Sequence, residues 1–185
     1  MRIVLASGSP RRKEILTRMG FVFTVHTSSA PEDDVTGHVN DIVKVLAERK
    51  AFSVAPLEKD ALIIAADTLV SLDDTPLGKP ENEEAAYEML RSLSGRAHEV
   101  ISGICLVNTV TGLHITDSVI TKVNFKPLTD SEIRAYVATG EPMDKAGAYA
   151  IQGGAGKFVK SYEGSYDNIV GFPGERFSEM LKQIL

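Results

Sequence analysis

The amino-acid sequence predicts the α/β fold class, with α+β as the alternative. We expect a mixed sheet and flanking helices arranged as two lobes around a central cleft. Strand-like and helix-like segments alternate through the first half, as they do in α/β proteins. In the middle, two long apolar segments meet at Thr111-Gly112, which predicts a β-hairpin. The chain has 185 residues, 43% of them hydrophobic, which suits a single domain over residues 1–185.

The first half contains alternating strand and helix signals. "RIVLA" and "FVFTVHT" predict strands, and between them we expect a helix from about residue 10 to 19, closed by Gly20. Apolar residues at helical spacing predict a second helix from Asn40 onward. "ALIIAADTLVSL" predicts a buried strand, "DDTPLGKP" a turn or short hairpin, and "NEEAAYEMLRSLSG" a helix that starts at an Asn cap.

The second half begins with the two hairpin strands of "HEVISGICLVNTVTGLHITDSVITKVNF". A capping box formed by Thr129 and Glu132 predicts the next helix, which ends at Gly140. "EPMDKAGAYAIQGGAGKF" predicts a glycine-rich loop, followed by a short strand and an amphipathic helix over residues 174–185.

Charge and composition exclude several classes of protein. A net charge of −5 argues against general binding to nucleic acid or to an anionic membrane. Cys105 is the one cysteine and lies in an apolar run, which predicts a buried core residue rather than a nucleophile. No segment approaches the roughly 20 apolar residues of a membrane span, and no signal peptide is visible, so we expect a cytoplasmic protein.

The segment "SGSPRR" places two arginines at the start of a helix. Ser9 is the predicted N-cap and Pro10 the first helical residue, so Arg11 and Arg12 fall in the first turn. Cations are unfavourable there because the N-terminus is the positive end of the helix dipole. A bound phosphate would resolve this conflict, since it accepts hydrogen bonds from the backbone amides, the hydroxyls and the guanidinium groups.

Three further polar groups stand out from the apolar framework. Glu32-Asp33-Asp34 follows the second strand, Asp67-Thr68 interrupts a buried strand, and Lys79 lies in a turn. Carboxylates at two strand ends could hold a hard divalent cation together with a bound phosphate. With the cationic side chains they form the set of groups that phosphoryl or nucleotidyl transfer requires.

Other nucleotide and hydrolase motifs are absent. The chain has no Rossmann G-x-G-x-x-G after a strand, and "GGAGK" lacks the spacing and the Ser or Thr of a P-loop. None of the four histidines accompanies a nucleophile elbow, which disfavours a Ser-His-Asp triad.

Six segments together resemble the motif series of the Maf proteins, in order and spacing, from residue 3 to about residue 173. They are "LASGSPRRKEIL", "AADTLV", "LGKP", "LSGRAHEVISG", "GEPMDKAGAYAIQG" and "GSYDNIVGFP". The resemblance implies a nucleoside triphosphate pyrophosphatase with a two-lobed fold similar to inosine triphosphatases. It also implies a divalent cation (Mg²⁺, Mn²⁺ or Co²⁺), a cytoplasmic location and a homodimer.

The resemblance also assigns roles to individual residues. It makes Asp67 the general base and a metal ligand, and Glu32 the second metal ligand, with Asp33 as the alternative. The substrate-binding residues that we predict, from the residues and the resemblance together, are Ser7, Ser9, Arg11, Arg12, Lys50, Thr68, Lys79, Lys145 and Gln152.

The segment "DKAGAYAIQG" resembles the family branch that prefers dTTP and UTP, with Ala150 in place of a usual glycine. The Gln152 amide can donate to O4 and accept from N3–H of uracil or thymine, and modified pyrimidine nucleotides stay open as substrates. A second branch has glutamate at this place and acts on 7-methyl-GTP. Two alternatives therefore remain: a 7-methyl-GTP pyrophosphatase, and a nucleotide-binding regulator of septum formation with little turnover.

Overall fold

The protein is described over all 185 residues by a computed structural model, in which seven strands form one mixed sheet. The strands are β1 (Arg2–Leu5), β2 (Phe23–Val25), β3 (Ala61–Leu72), β4 (Thr75–Leu77), β5 (Ala97–Asn108), β6 (His114–Phe125) and β7 (Val159–Glu163). The helices are α1 (Pro10–Arg18), α2 (Val39–Val54), α3 (Glu83–Leu93), α4 (Asp130–Val137), α5 (Tyr166–Val170) and α6 (Gly174–Ile184). The α/β fold class is confirmed.

The strand order is β2-β1-β3-β5-β6-β7, and β4 pairs with β3 alone. Strand β1 runs parallel to both β2 and β3, whereas β4 is antiparallel to β3 and β7 is antiparallel to β6. Parallel strands need a crossover connection and antiparallel strands can be joined by a hairpin. The alternating first half and the hairpin in the middle of the sequence therefore account for the mixed sheet.

The chain divides into two compact units. The first comprises residues 1–68, 102–119 and 171–185, and the second comprises residues 69–101 and 120–170. The core of the first unit is built from small and branched side chains of β1, α2, β3 and β5, among them Val4, Ala51, Ile63 and Cys105. The core of the second unit contains larger side chains from the strands, from α3 and α4 and from the loop after α4, among them Leu90, Phe125, Ile133 and Phe158.

The predicted helix starts are present, with one difference at Ser9. Asn82 caps α3 by accepting a hydrogen bond from the amide of Ala85, at 2.8 Å, and Thr129 and Glu132 form the capping box of α4. Ser9 occupies the N-cap position of α1, but its side chain makes no capping hydrogen bond. Instead the Ser9 amide donates to Ser7 Oγ at 3.2 Å, so the neighbouring serine organises this turn.

Three segments differ from the sequence prediction. Strand β2 is confined to three residues because it pairs only with β1 over that length, so the predicted strand over "FVFTVHT" was too long. The glycine-rich loop contains three short 3₁₀ turns, at 141–144, 146–148 and 154–158. Helix α5 was not predicted, since five residues are too few to show a helical period.

Cys105 is fully buried in the core of the first unit, as predicted. Burial raises the pKa of its thiol to about 11, so the side chain is a neutral core residue near neutral pH. Among the helices, none combines the length and the apolar character needed to cross a membrane.

Candidate active site

The first group of predicted site residues lies in the first unit, after the end of β1. Leu5 is paired with Ile64 in the parallel ladder between β1 and β3. Beyond that pair the chain leaves β1 into the turn that contains Ser7, while β3 continues to Asp67 and Thr68. Polar residues grouped at the carboxyl end of a parallel strand are typical of ligand sites in α/β proteins.

Arg12, in the first turn of α1, is fixed by three hydrogen bonds. Its Nε donates to the Gly171 carbonyl at 2.9 Å, its Nη1 to Ser7 Oγ at 3.2 Å, and its Nη2 to Thr68 Oγ1 at 3.4 Å. Three of the five guanidinium N–H groups are thus used within the protein, and two remain for a ligand. Burial lowers the pKa of Arg12, Asp67 acts in the opposite direction, and neighbouring Arg11 lowers it further.

Lys50 lies between the two acids that the resemblance assigned to the metal. Its Nζ is 2.5 Å from Asp67 Oδ1 and 3.2 Å from Glu32 Oε1. Asp67 is 6% exposed, and its second oxygen, Oδ2, is buried without a hydrogen-bond partner. This oxygen is therefore the atom of Asp67 that a cation or a water could engage. We call Arg12, Glu32, Lys50, Asp67 and Thr68 the Asp67 cluster.

Close packing of helix α2 on β5 sets the position of Lys50. A Cβ built on Gly103 would lie only 2.1 Å from the carbonyl oxygen of Val43, so no other residue fits at Gly103 without displacing the helix. Lys50 lies about two turns after Val43 on the same helix. The glycine in "VISGIC" thus allows the helix to approach closely enough for Lys50 to reach Asp67.

The three acids of the loop after β2 have different partners. Glu32 contacts Lys50, whereas Asp34 Oδ1 pairs with Arg49 Nη1 at 2.8 Å. The Asp33 carbonyl also accepts from Arg49, at 3.3 Å. Adjacent cations on α2 therefore hold the loop. Of the three acids, Glu32 is the one that pairs with the lysine that also binds Asp67.

The predicted site residues Lys79, Lys145 and Gln152 lie in the second unit. Lys79 is exposed, and the carbonyl of Gly78 before it accepts a hydrogen bond from the Gly147 amide at 3.0 Å. Lys145 is only 14% exposed, and its Nζ contacts Asp144 Oδ1 at 2.5 Å and the Glu141 carbonyl at 3.4 Å. The hydrogen bond between Gly147 and Gly78 therefore ties the Lys79 turn to the start of the loop that carries Gln152.

Residues 147–154, here called the Gln152 loop, are held from several sides within the second unit. Tyr149 Oη is 2.6 Å from His98 Nε2, and the Ala150 amide donates to Tyr136 Oη at 3.3 Å. Past Gln152, the Gly154 amide donates to Glu141 Oε2 at 3.0 Å. Gln152 itself is exposed, between contacts that fix the backbone on both sides of it.

Two residues of the Asp67 cluster's surroundings were missed by the sequence analysis. Ser102 Oγ lies 2.8 Å from Thr68 Oγ1, and the Gly171 carbonyl accepts from both Arg12 and Thr68. Ser102 is a fully buried polar residue in an apolar strand, the same signal that identified Asp67. Gly171 left no comparable signal, because its contribution is a backbone carbonyl.

These contacts define what the Asp67 cluster can do chemically. Cationic and hydroxyl donors surround a buried carboxylate that has one unengaged oxygen, an arrangement suited to a polyanionic ligand and to proton transfer from water. No three His, Cys, Asp or Glu side chains are grouped to hold a metal ion by themselves. Any cation here would need ligands from the substrate or from water as well.

Comparison with known proteins finds close similarity along the whole chain. A protein-family model described as "Maf-like protein" matches residues 2–184. The dTTP/UTP pyrophosphatase of Desulforamulus reducens is 45% identical over 181 residues, covering 97% of this chain and 95% of that protein. The dTTP/UTP pyrophosphatase of Pelotomaculum thermopropionicum is 47% identical over 182 residues, covering 98% of this chain and 95% of that protein.

Two solved structures show a more distant similarity. A dITP/XTP pyrophosphatase from Mycobacterium abscessus is 15% identical with a TM-score of 0.43, covering 69% of this chain and 76% of its own. The Ham1 protein of Staphylococcus aureus is 16% identical with a TM-score of 0.46, covering 68% of this chain and 72% of its own.

Proposed function

Because the chain belongs to the Maf family, we propose that it hydrolyses dTTP and UTP to the nucleoside monophosphate and pyrophosphate. Relatives at 45–47% identity over nearly the full chain carry the name dTTP/UTP pyrophosphatase, which supports this substrate pair. The observation that carries the proposal is Asp67, a buried carboxylate with one oxygen paired to Lys50 and the other unengaged.

In this proposal Asp67 accepts a proton from the water that attacks the α-phosphorus. Arg11, Arg12 and Lys50 neutralise the charge that grows on the leaving pyrophosphate, as fixed cations do in phosphoryl-transfer sites. Ser7, Ser9 and Thr68 supply further hydrogen bonds to the triphosphate. Lys79 and Lys145 add positive charge to the substrate's surroundings, and Gln152 pairs with the base through its amide.

The Asp67 cluster fits a hard divalent cation. Mg²⁺ is commonly held by one or two carboxylates, with phosphate and water completing its shell. Asp67 and Glu32 supply two carboxylates joined by one lysine, and Asp67 Oδ2 is buried without a partner. These two residues would hold Mg²⁺, Mn²⁺ or Co²⁺. Such a cation supplies charge neutralisation of the triphosphate and acidification of a bound water.

The remaining features of the proposal concern the whole protein. We propose that it is a single Maf-type domain over residues 1–185, that it acts in the cytoplasm, where nucleoside triphosphates are its substrates, and that it forms a homodimer. Neither nucleic acid nor a membrane is a proposed partner, in line with the net charge of −5.

The proposal is tested with a panel of dTTP, UTP, CTP and 7-methyl-GTP, with pyrophosphate measured in the presence and absence of Mg²⁺. We expect release from dTTP and UTP, and a loss when the cation is removed. Tight nucleotide binding without pyrophosphate release would instead support the septum regulator. Preferential cleavage of 7-methyl-GTP would support the other family branch.

Asp67→Asn is the matching variant, because it keeps the shape and an acceptor for Lys50 but removes the base. We expect folding and nucleotide binding to persist while turnover falls at least about 10²-fold, as is typical when a general base is lost. Asp60→Asn is the control, since it makes the same charge change at an exposed residue before the same strand. If Asp67→Asn kept more than a tenth of the wild-type rate, Asp67 would not be the base.

A further inference from the structure

The backbone just before Gln152 adopts an unusual conformation. Gly147 and Ala148 have φ values of 68° and 62°, two successive left-handed residues. A Cβ on Gly147 would lie 2.7 Å from Val70 Cγ2, so glycine is also required there by packing. Ala148 is fully buried, and for an alanine this left-handed conformation is sterically less favourable than the right-handed one. The chain therefore enters the Gln152 loop through a strained residue.

The next residue, Tyr149, is tied to β5 by a buried hydrogen bond. Its Oη lies 2.6 Å from His98 Nε2, and the two residues are 5% and 3% exposed. Their rings pack edge to face with Phe125, at centroid distances of 4.9 Å from each. This is one polar contact inside an otherwise aromatic cluster.

The hydrogen-bonded pair of His98 and Tyr149 lowers the stability of the fold. Burial lowers the pKa of His98 to about 4, so the imidazole is neutral near neutral pH, and its Nδ1 is buried without a hydrogen-bond partner. An unpaired buried polar atom costs free energy that two phenylalanines in the same space would avoid. Unfavourable features retained together are typical of places where a conformation is needed for function. Here the strained Ala148 and the unsatisfied His98 converge on one end of the Gln152 loop.

We propose that His98 is a positioning residue for base recognition, which acts through Tyr149 to fix the Gln152 loop. The inference rests on the proposed function of Gln152. Without the hydrogen bond, Tyr149 would lose its fixed link to β5, and the loop could leave the strained conformation at Ala148. The backbone at Gln152 would then adopt several conformations, and only some of them would place its amide against the base. Asp67 and Lys50 belong to the first unit, so the change replaces no residue of the Asp67 cluster.

The test is the double variant His98→Phe/Tyr149→Phe, which removes both polar partners and keeps two aromatic rings. Since removing both partners of a buried hydrogen bond is often neutral or stabilising, we expect a melting temperature at or above that of the wild type. The KM for dTTP and UTP should rise about five- to tenfold with kcat within about twofold, the pattern for lost substrate binding. The ratio of kcat/KM for dTTP over 7-methyl-GTP should fall by a similar factor.

Two further variants make the result specific to this contact. Tyr87→Phe removes a tyrosine hydroxyl that bonds Asp130 at 2.9 Å elsewhere in the second unit, and it should leave KM unchanged. His98→Gln keeps a polar group that can reach Tyr149 Oη, and it should restore KM to within about twofold of the wild type if the hydrogen bond is what matters.

Each outcome decides the inference. A stable double variant with the wild-type KM and the wild-type preference for dTTP over 7-methyl-GTP would overturn the inference. A raised KM together with a lowered kcat and a lowered melting temperature would also overturn it, because that combination indicates a purely structural role. If the double variant does not fold, Tyr149→Phe is judged by the same measurements, and its failure to fold also overturns the inference. Wild-type protein that cleaves neither dTTP nor UTP refutes the proposed function. A different outcome refutes the role of His98 alone. In that outcome the wild type is active, and the ratio of kcat/KM for dTTP over 7-methyl-GTP changes in Gln152→Glu but not in the double variant.

Discussion

The Asp67 cluster and the Gln152 loop are fixed by different physical means. In the Asp67 cluster, side chains of α1, α2 and β3, joined by Glu32 from the loop after β2, meet through ion pairs and charge-assisted hydrogen bonds. The packing of α2 against Gly103 sets the position of Lys50. In the Gln152 loop, hydrogen bonds from Tyr149, Ala150 and Gly154, together with a strained backbone, fix residues that belong to no α-helix or strand. Charge can be positioned by strands and helices, whereas a residue that contacts a flat base needs a loop of defined shape.

Gly103→Ala gives the largest expected effect, and it breaks the scaffold of the Asp67 cluster. The new Cβ would overlap the Val43 carbonyl at 2.1 Å, and backbone cannot move aside as a side chain can. We expect a loss of about 3 kcal/mol or more in the free energy of unfolding, at the upper end of overpacking effects. Chemical denaturation measures it. Gly78→Ala is the control, because nothing lies within 4 Å of a Cβ there, and an equal loss in both variants would contradict the packing argument.

Arg11→Ala and Arg12→Ala separate ligand binding from scaffolding within the cluster. Each should weaken dTTP binding by about 1.5–3 kcal/mol and thymidine binding far less, because the lost bonds are charge-assisted contacts to phosphate. Arg12→Ala should also lower the melting temperature, since it removes the bonds to Ser7, Thr68 and Gly171. Calorimetric titration in the Asp67→Asn background avoids turnover, with Arg18→Ala as the control. Equal weakening for dTTP and thymidine would exclude a phosphate-binding role.

Gln152→Glu tests the other side of the comparison. A carboxylate facing the O4 acceptor of uracil or thymine should cost about 1–3 kcal/mol in kcat/KM for dTTP and UTP, while 7-methyl-GTP loses nothing from this contact. The measurement is the ratio of kcat/KM values for the three substrates. Gln183→Glu, on exposed surface of α6, provides the same charge change elsewhere. If all three substrates fell together, Gln152 would support the loop rather than read the base.

Ala148→Gly has the smallest expected effect and measures the strain in the Gln152 loop. Glycine adopts a φ of 62° without steric cost but has more freedom to lose on folding, so the net gain should be about 0.5–1 kcal/mol in the free energy of unfolding. Ala150→Gly, in the same loop and without a positive φ, should lose stability instead. Denaturation of both variants decides the matter, and two equal losses would show that Ala148 is unstrained.

The difference between the two regions also explains what the sequence could reveal. Asp67 stood out because an acid in an apolar strand is costly, and its ion pair with Lys50, which also contacts Glu32, joins elements that were predicted. Ser102 gave the same signal more weakly, since a hydroxyl is easier to bury than a carboxylate. Gln152 and Lys145 were identified only through the resemblance, because loop geometry depends on contacts distant in sequence.

His98 and Tyr149 show the limit most clearly. They are 51 residues apart and both lie in segments that resemble Maf motifs, but nothing local indicates that their side chains meet. The left-handed conformation of Ala148 was also unpredictable, as alanine rarely adopts it. Secondary structure and charge placement were therefore accessible from the sequence, whereas the hydrogen bonds that shape the loop required the structure.

The burial of Cys105 has a practical consequence for placing a fluorescent label on the Gln152 loop. A thiolate is the reactive form of cysteine, and this thiol is both shielded from solvent and held protonated. Alkylating dyes should therefore leave the native protein unlabelled, although they should react once it unfolds. A single cysteine introduced on the surface would then carry a fluorophore at one known position, without replacing any residue of the core.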